Sequence, residues 1–320
     1  MNVPASSALP AGETLRSGEK ESLILATFAE DSEQLRHAIF LAESVRTFTG
    51  RYRHSPIWIF VPRGGAGCPE ELQEQLREQR LELHESTAPA EAEWFYYSRK
   101  VFAAAQAEVE AEGRGKILAW LDEDTIVLQE PKAFILEPNH SLAYRPVMHK
   151  NIGSLYSEPL DAFWNRIYER LAIPSAAVFP MSTIADGEII RPYFNAGLLV
   201  VRPENGILRR WAEDFTVLFS DRILNSMSRK DEHKRIFFHQ TALVGTILNS
   251  VAREQMLELS RQYNYPLFFK EMYGAAEEFD SLEDVITLRY DVYFRHPAPD
   301  WRERLKGPSE KIAWLGERLG

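Results

Sequence analysis

Ile117-Leu118-Ala119-Trp120-Leu121-Asp122-Glu123-Asp124-Thr125-Ile126-Val127-Leu128 is the stretch on which the reading of this chain turns. Its first five residues are bulky, apolar and too few for a core helix, so they read as a buried strand. A second β-like run, Thr125 to Leu128, follows at once. Carboxylates at the end of a buried strand are costly unless something positive sits between them. Side chains two apart on a strand share a side, so Asp122 and Asp124 can converge on one cation. Oxygen-only donors suit Mg²⁺ or Mn²⁺, ions that complete their shells with water and substrate phosphates. The first expectation is therefore a divalent ion holding a diphosphate. Turn formation or helix capping by acidic residues is the competing explanation of the same tripeptide.

Working outward, strands and helices alternate. Ser22 to Thr27 and Pro56 to Val61 read as strands, and Leu81 to His84 as a short third one. Between them Ser32 is expected to cap a helix ending near Gly50, and Pro69 to open another through Gln79. Phe95 to Ala111 is Ala-rich and helical, stopped by Gly113 and Gly115. Further on, helices are expected over Pro159–Leu171, Gly206–Phe219 and Phe237–Val251, with a strand at Gly197–Val201. This alternation predicts an α/β fold, a mainly parallel central sheet with helices on both faces. Ligands of such sheets bind beyond the carboxyl ends of the strands, where Thr27 and Asp122 lie. Trp120, Trp164 and Trp211 are expected in the core.

The chain has 320 residues, 45% hydrophobic, enough for a packed core in one domain. Residues 1–20 read as a mobile tail, 21–130 as a nucleotide-binding half, and 131–320 as an acceptor half with a C-terminal segment. A formal charge of −10 argues against non-specific binding of nucleic acid or anionic membrane. Cys68 is the single cysteine, which excludes a disulfide framework and a Cys-based zinc site. With no apolar run of membrane-spanning length, a cytoplasmic protein is expected.

Three further segments carry chemistry. Arg191-Pro192-Tyr193-Phe194-Asn195-Ala196-Gly197 precedes an apolar strand; Asn offers donor and acceptor, and Ala-Gly permits close approach to backbone. His239-Gln240 are expected at the start of a helix, where free N–H groups could meet hydroxyls. Tyr290 to Pro297 contains His296, a candidate third metal ligand. Arg145, His149, Lys150 and Asn151, with Asp186 and Glu188, read either as further contacts or as solvated loop.

Leu121 to Val127, Tyr193 to Val201 and the helix with Gln240 together resemble a glycosyltransferase of the GT-A fold, nearest to glycosyltransferase family 8, the glycogenin and bacterial galactosyltransferase group. The resemblance covers roughly Ser22 to Pro297. It implies a metal-dependent, retaining transfer from a nucleoside-diphosphate sugar to a hydroxyl acceptor on a sugar, lipid or protein. Asp122, Asp124 and His296 would hold Mn²⁺ or Mg²⁺, with Asp122 or its neighbour Glu123 near the ribose. Thr27 and Phe28 would lie by the nucleobase, and Arg99 or Lys100 would reach the donor. Asn195, Ala196 and Gly197 would line the sugar pocket and Gln240 would touch the sugar, which makes Asn195 and Gln240 the candidate catalytic residues. The family commonly has Asp where this chain has His239. It also has His-Gly with Lys-Pro-Trp where this chain reads His296-Pro-Ala-Pro-Asp-Trp301, so Arg295, Arg302 or Lys306 would have to replace that lysine. Two other readings follow from these departures and from the fold: a sugar-nucleotide-binding protein without turnover, and a sugar nucleotidyltransferase. The second lacks its usual Gly-rich basic loop, because Phe28-Ala29-Glu30-Asp31 follows the first strand.

Overall fold

In the computed structural model, residues 22–65, 69–267, 281–290 and 301–319 are described. His296, Arg295, Cys68 and the expected tail lie outside them. The strands are β1 (Leu23–Phe28), β2 (Ile57–Pro62), β3 (Glu82–Ser86), β4 (Ile117–Leu121), β5 (Thr125–Val127), β6 (Leu142–Pro146), β7 (Met181–Ser182), β8 (Ile189–Ile190), β9 (Phe194–Val201), β10 (Met256–Glu258), β11 (Tyr265–Pro266) and β12 (Thr287–Arg289). The α-helices are α1 (Ser32–Phe48), α2 (Glu70–Glu78), α3 (Ser98–Ala111), α4 (Ala162–Arg170), α5 (Ile207–Phe219), α6 (Arg222–Lys230), α7 (Glu232–Ser250), α8 (Trp301–Arg304) and α9 (Ser309–Leu319).

Seven strands form the central sheet in the order β10-β6-β9-β4-β1-β2-β3. The β4-β1-β2-β3 and β10-β6 neighbours are parallel, while β9 is antiparallel to both β4 and β6. The expected α/β class with a mainly parallel sheet is what the chain adopts. Every side chain of β1, β4 and β9 is buried, because helices cover both faces. On one face Ile24, Ala26, Leu118 and Trp120 pack with Val101 of α3, Trp211 of α5 and Phe238 of α7. On the other, Leu23, Leu25, Ile117 and Ala119 pack with Leu41, Ala42 and Val45 of α1. Trp120, Trp164 and Trp211 all lie in the first of these cores.

Several boundaries differ from expectation. Asp31, not Ser32, caps α1, its carboxylate accepting from Gln34 N at 2.9 Å. The chain over 222–230 is helical (α6), capped by Asp221, which accepts from the N–H groups of Ile223 and Leu224. Asp231 caps α7, so that helix begins at Glu232 and His239-Gln240 sit in its interior, with no free N–H groups to offer. β9 starts at Phe194, three residues before the expected Gly197, which puts Asn195 and Ala196 inside the strand as well.

The second sheet matters for the site. β5 leaves the carboxyl end of β4 after the three-residue turn Asp122–Asp124, in which Thr125 N donates to Asp122 O (3.1 Å), and it pairs antiparallel with β12. Ser44 of α1 anchors β5 by accepting from Val127 N at 2.9 Å. The Thr125–Arg289 register brings Arg289 beside the Asp122–Asp124 turn from 165 residues away. No helix of the described residues is long and apolar enough to cross a membrane.

Candidate active site

Because β9 runs against the rest of the sheet, its beginning lies at the carboxyl end of β4. Asp122 N donates to Gly197 O at 2.9 Å. Asn195 Oδ1 accepts from Gly197 N at 2.7 Å, so the side chain braces the strand next to Asp122. A Cβ on Gly197 would collide with Asp122 Oδ2 and lie 2.7 Å from Arg289 Nη1. The glycine is thus required by a close approach, as expected, but what approaches is the chain's own carboxylate and guanidinium.

Lys100, in the first turn of α3, forms an ion pair with Asp122 Oδ1. Arg289 Nη1 lies 3.0 Å from Asp122 Oδ2, and its Nε and Nη2 each lie 2.8 Å from one oxygen of Asp124. Tyr290 N donates to Asp124 O at 3.2 Å, fixing the backbone that carries Arg289. Asp122 and Asp124 are 8% and 1% exposed. Burial pushes the Asp122 carboxyl up, but Lys100 and Arg289 outweigh it and leave it below the usual range. Burial and the two flanking aspartates push Glu123 up to about 8, outweighing the pull of Lys100.

Asp122 and Asp124 do converge on positive charge, but the charge is supplied by the protein. Both oxygens of each carboxylate carry a cationic nitrogen, and the guanidinium occupies the space between them. An ion placed on these oxygens would share each of them at close range with a cationic nitrogen already held there. The described residues contain no group of three or more His, Cys, Asp or Glu able to hold a metal ion. The residues as arranged do not fit the expected ion.

Of the two basic residues singled out on α3, Lys100 points to the site, while Arg99 pairs with Glu30 (3.0 Å) and Glu93 (2.9 Å) at the surface. His239 is buried beside this cluster. Its ring lies 4.9 Å from that of Tyr97, over which Lys100 Nζ sits at 5.5 Å. Nδ1 is 3.0 Å from Ile236 O; a carbonyl only accepts, so Nδ1 carries the proton and Nε2 of the neutral ring is an acceptor. Burial, then the Lys100 charge, pull His239 down to about 3. Thr27 Oγ1 and Gln240 Oε1 are buried with no hydrogen-bond partner among the described residues, as are core groups such as the indole N–H of Trp58 and Trp120. Phe28 and Ala196 are buried.

Arg145 lies in β6, donating to Leu259 O rather than standing in a loop. His149 Nδ1 and Asp186 are 3.3 Å apart. Arg302 donates to Gly316 O at 2.7 Å, joining α8 to α9. Arg289 stands in none of the sequence motifs. Its only local signal is the alternation Thr287-Leu288-Arg289-Tyr290, which marks a strand but not its partner.

A family model described as the Rhodobacterales glycosyltransferase domain matches residues 26–249. No curated protein matches the chain. Among solved structures, the chain is similar to glycosyltransferase GlyE of Streptococcus pneumoniae (16% identity, TM-score 0.43, 92% of this chain and 60% of that one). It is similar to galactosyltransferase LgtC in complex with donor and acceptor sugar analogs (15%, TM-score 0.42, 92% and 93% of the two chains). It is also similar to mouse xyloside xylosyltransferase 1 (13%, TM-score 0.44, 85% and 97%). The chain thus spans 60% of the length of the GlyE chain it matches.

Proposed function

We propose that this chain, which belongs to the Rhodobacterales glycosyltransferase domain family and is a glycosyltransferase, moves a glycosyl group from a nucleoside-diphosphate sugar to a hydroxyl acceptor with retention of configuration. The observation that carries this reading is the meeting of three distant segments at the carboxyl end of β4. Asp122, Gly197 and Lys100 touch there, joined by the Asp122 N–Gly197 O bond of 2.9 Å and the Lys100–Asp122 ion pair. Ligands of open α/β sheets bind at that end.

In this reading residues 21–130 serve the donor, with Thr27 and Phe28 by the nucleobase and Lys100, Asp122 and Glu123 toward the ribose and diphosphate. Residues 131–320 hold the acceptor, with Asn195, Ala196 and Gly197 lining the sugar pocket and Gln240 reaching the sugar through its unpartnered Oε1. The chemistry needs positive charge near the departing diphosphate and an acceptor held in line with the anomeric carbon. Lys100 and Arg289 are the cations held at this point of the site. The Mn²⁺ or Mg²⁺ implied by the resemblance enters no step, since its ligands are engaged.

Calorimetry with UDP, GDP, ADP, CDP and dTDP tests the donor class: one of them is expected to bind, and weaker binding is expected for Asp122→Ala. Binding of none would end the proposal. Transfer from the matching nucleotide sugar to a panel of hydroxyl acceptors, with the product's anomeric coupling read by NMR, tests retention. The neutral His239, where the resemblance predicts a carboxylate, favours one alternative: binding without turnover. Tight nucleotide binding with no transfer or donor hydrolysis across the panel would select it.

A further inference from the structure

The Asp-x-Asp turn has the charge balance of a divalent-metal site without the metal. Two carboxylates, Asp122 and Asp124, face two unit positive charges, Lys100 and Arg289. Lys100 takes one oxygen of Asp122, and Arg289 takes the other together with both oxygens of Asp124. A planar guanidinium matches a carboxylate bidentately, and on Asp124 it does so at 2.8 Å on each side. The arrangement is built into the backbone as well as the side chains. β12 pairs with β5 so that Arg289 stands opposite Thr125, and Tyr290 N donates to Asp124 O at 3.2 Å. Gly197 contributes by leaving out the Cβ that would displace both Asp122 Oδ2 and Arg289 Nη1. Asp124, 1% exposed beneath the guanidinium, has no open face to offer a second cation.

We propose that Arg289, with Lys100, fills the cation position between Asp122 and Asp124, so that the chain binds its nucleoside-diphosphate donor without a divalent metal ion. The donor half of this statement rests on the function proposed above; the occupancy half does not. In a metal site the two aspartates would hold an exchangeable ion against the diphosphate. In this chain they hold charges covalently attached to α3 and β12, so the positive edge of the site survives chelation. An additional divalent ion would have to expel Arg289 or share its carboxylates at close range with a like charge.

The test has two arms on the full chain. In the first, Mn²⁺ alone is titrated into wild type and into Arg289→Ala, read by calorimetry and by thermal melts. Wild type is expected to bind no Mn²⁺ at about 1 mM and to keep its melting temperature, whereas Arg289→Ala gains a site and rises by about 2 °C or more. Arg289→Gln, which removes the charge but keeps the apolar stem and a polar end, repeats the measurement should the alanine variant fail to fold. Stoichiometric Mn²⁺ binding by wild type that disappears in Asp124→Asn would overturn the proposal. In the second arm, the nucleoside diphosphate that binds is titrated in EDTA and in Mn²⁺. Affinities within about threefold of each other are expected, and a tenfold or greater loss in EDTA, about 1.4 kcal/mol, overturns the proposal. If no nucleotide binds under either condition, the proposed function fails, and the first arm still decides what fills the cation position.

Discussion

Arg289 and Gly197 set the geometry of the site at the scale of single atoms, and each carries a measurable cost. Removing the guanidinium strands Asp124, a carboxylate only 1% exposed, with its cationic partner gone. A buried charge left unpaired costs about 3–5 kcal/mol. Arg289→Met is therefore expected to lower the free energy of unfolding by about that much, read from urea midpoints at unchanged m-value. Adding Asp124→Asn to the same chain should recover part of the loss, because the stranded charge is then gone. A double variant no more stable than Arg289→Met would show that the cost lies in packing and not in charge. Gly197→Ala pushes apart the same two groups, since its methyl would collide with Asp122 Oδ2 and sit 2.7 Å from Arg289 Nη1. Overpacking of this kind costs about 1–3 kcal/mol. Nucleotide affinity should fall with it, by about tenfold or more if the displaced Asp122 faces the donor. Wild-type affinity in Gly197→Ala would place the donor elsewhere.

At the scale of elements, α3 is the part whose two ends do different work. Its first turn delivers Lys100 to Asp122; two turns on, Glu108 reaches the start of α5. There its carboxylate accepts from Leu208 N (3.1 Å) and Arg209 N (2.9 Å), with the Arg209 guanidinium alongside. No residue of α5's own N-terminus supplies a side-chain cap, so a helix 100 residues away does. Glu108→Ala should therefore destabilise the protein by about 2 kcal/mol, the cost of two buried donors losing their acceptor. Nucleotide affinity should change by no more than about twofold, since Lys100 is untouched. A large affinity loss at full stability would reverse that assignment. Element existence was legible in the chain because buried strands and amphipathic helices repeat with different periods. Direction was not: an apolar run such as Leu198 to Val201 reads the same parallel or antiparallel, and only the structure shows β9 reversed. Asn195 and Ala196, expected before the strand, lie within it, and the glycine that follows them answers a close contact and not a turn. α7 begins five residues before the expected Phe237 because its charged first turn, Glu232 to Arg235, hides the apolar period. Within the site, the strand-end aspartates are legible in local pattern and the pair Arg99 or Lys100 only through the family resemblance, whereas Arg289 depends on a β5–β12 pairing that no local pattern encodes.

For the molecule as a whole, the buried titratable groups set how stability responds to pH. Glu123, pushed up to about 8 by burial and its two aspartate neighbours, binds a proton in the folded chain well above the unfolded carboxyl value of 4.5. Glu108 does the same, pushed up to about 6 by burial against the pull of two N–H groups and Arg209. A raised acid contributes stability that is complete below 4.5 and is lost as pH rises through its folded value. His239 has the opposite sign: held down to about 3, its contribution is intact above 6.5 and is lost as pH falls. His37 is also lowered, by burial first, and works in the same direction as His239. Above pH 6.5 only Glu123 of these groups changes, so stability should decline from there to pH 8. The slope is at most about 1.4 kcal/mol per pH unit. Between 6.5 and 4.5 the two glutamates gain what the histidines lose, giving a shallow stretch; below 4.5 the histidines act with Asp122, held low by Lys100 and Arg289, and stability falls. The chain's formal charge of −10 adds a long-range self-repulsion on the alkaline side. Urea unfolding at intervals from pH 4 to pH 8 in 0.15 M salt, which screens most of that long-range term, isolates the buried groups. Glu123→Gln cannot titrate, so it should flatten the limb above pH 6.5 while leaving the acid limb in place, and His239→Asn should do the converse. An alkaline limb that persists unchanged in Glu123→Gln would mean that Glu123 is ionised in the folded protein and that the Asp122–Asp124 turn carries a third negative charge.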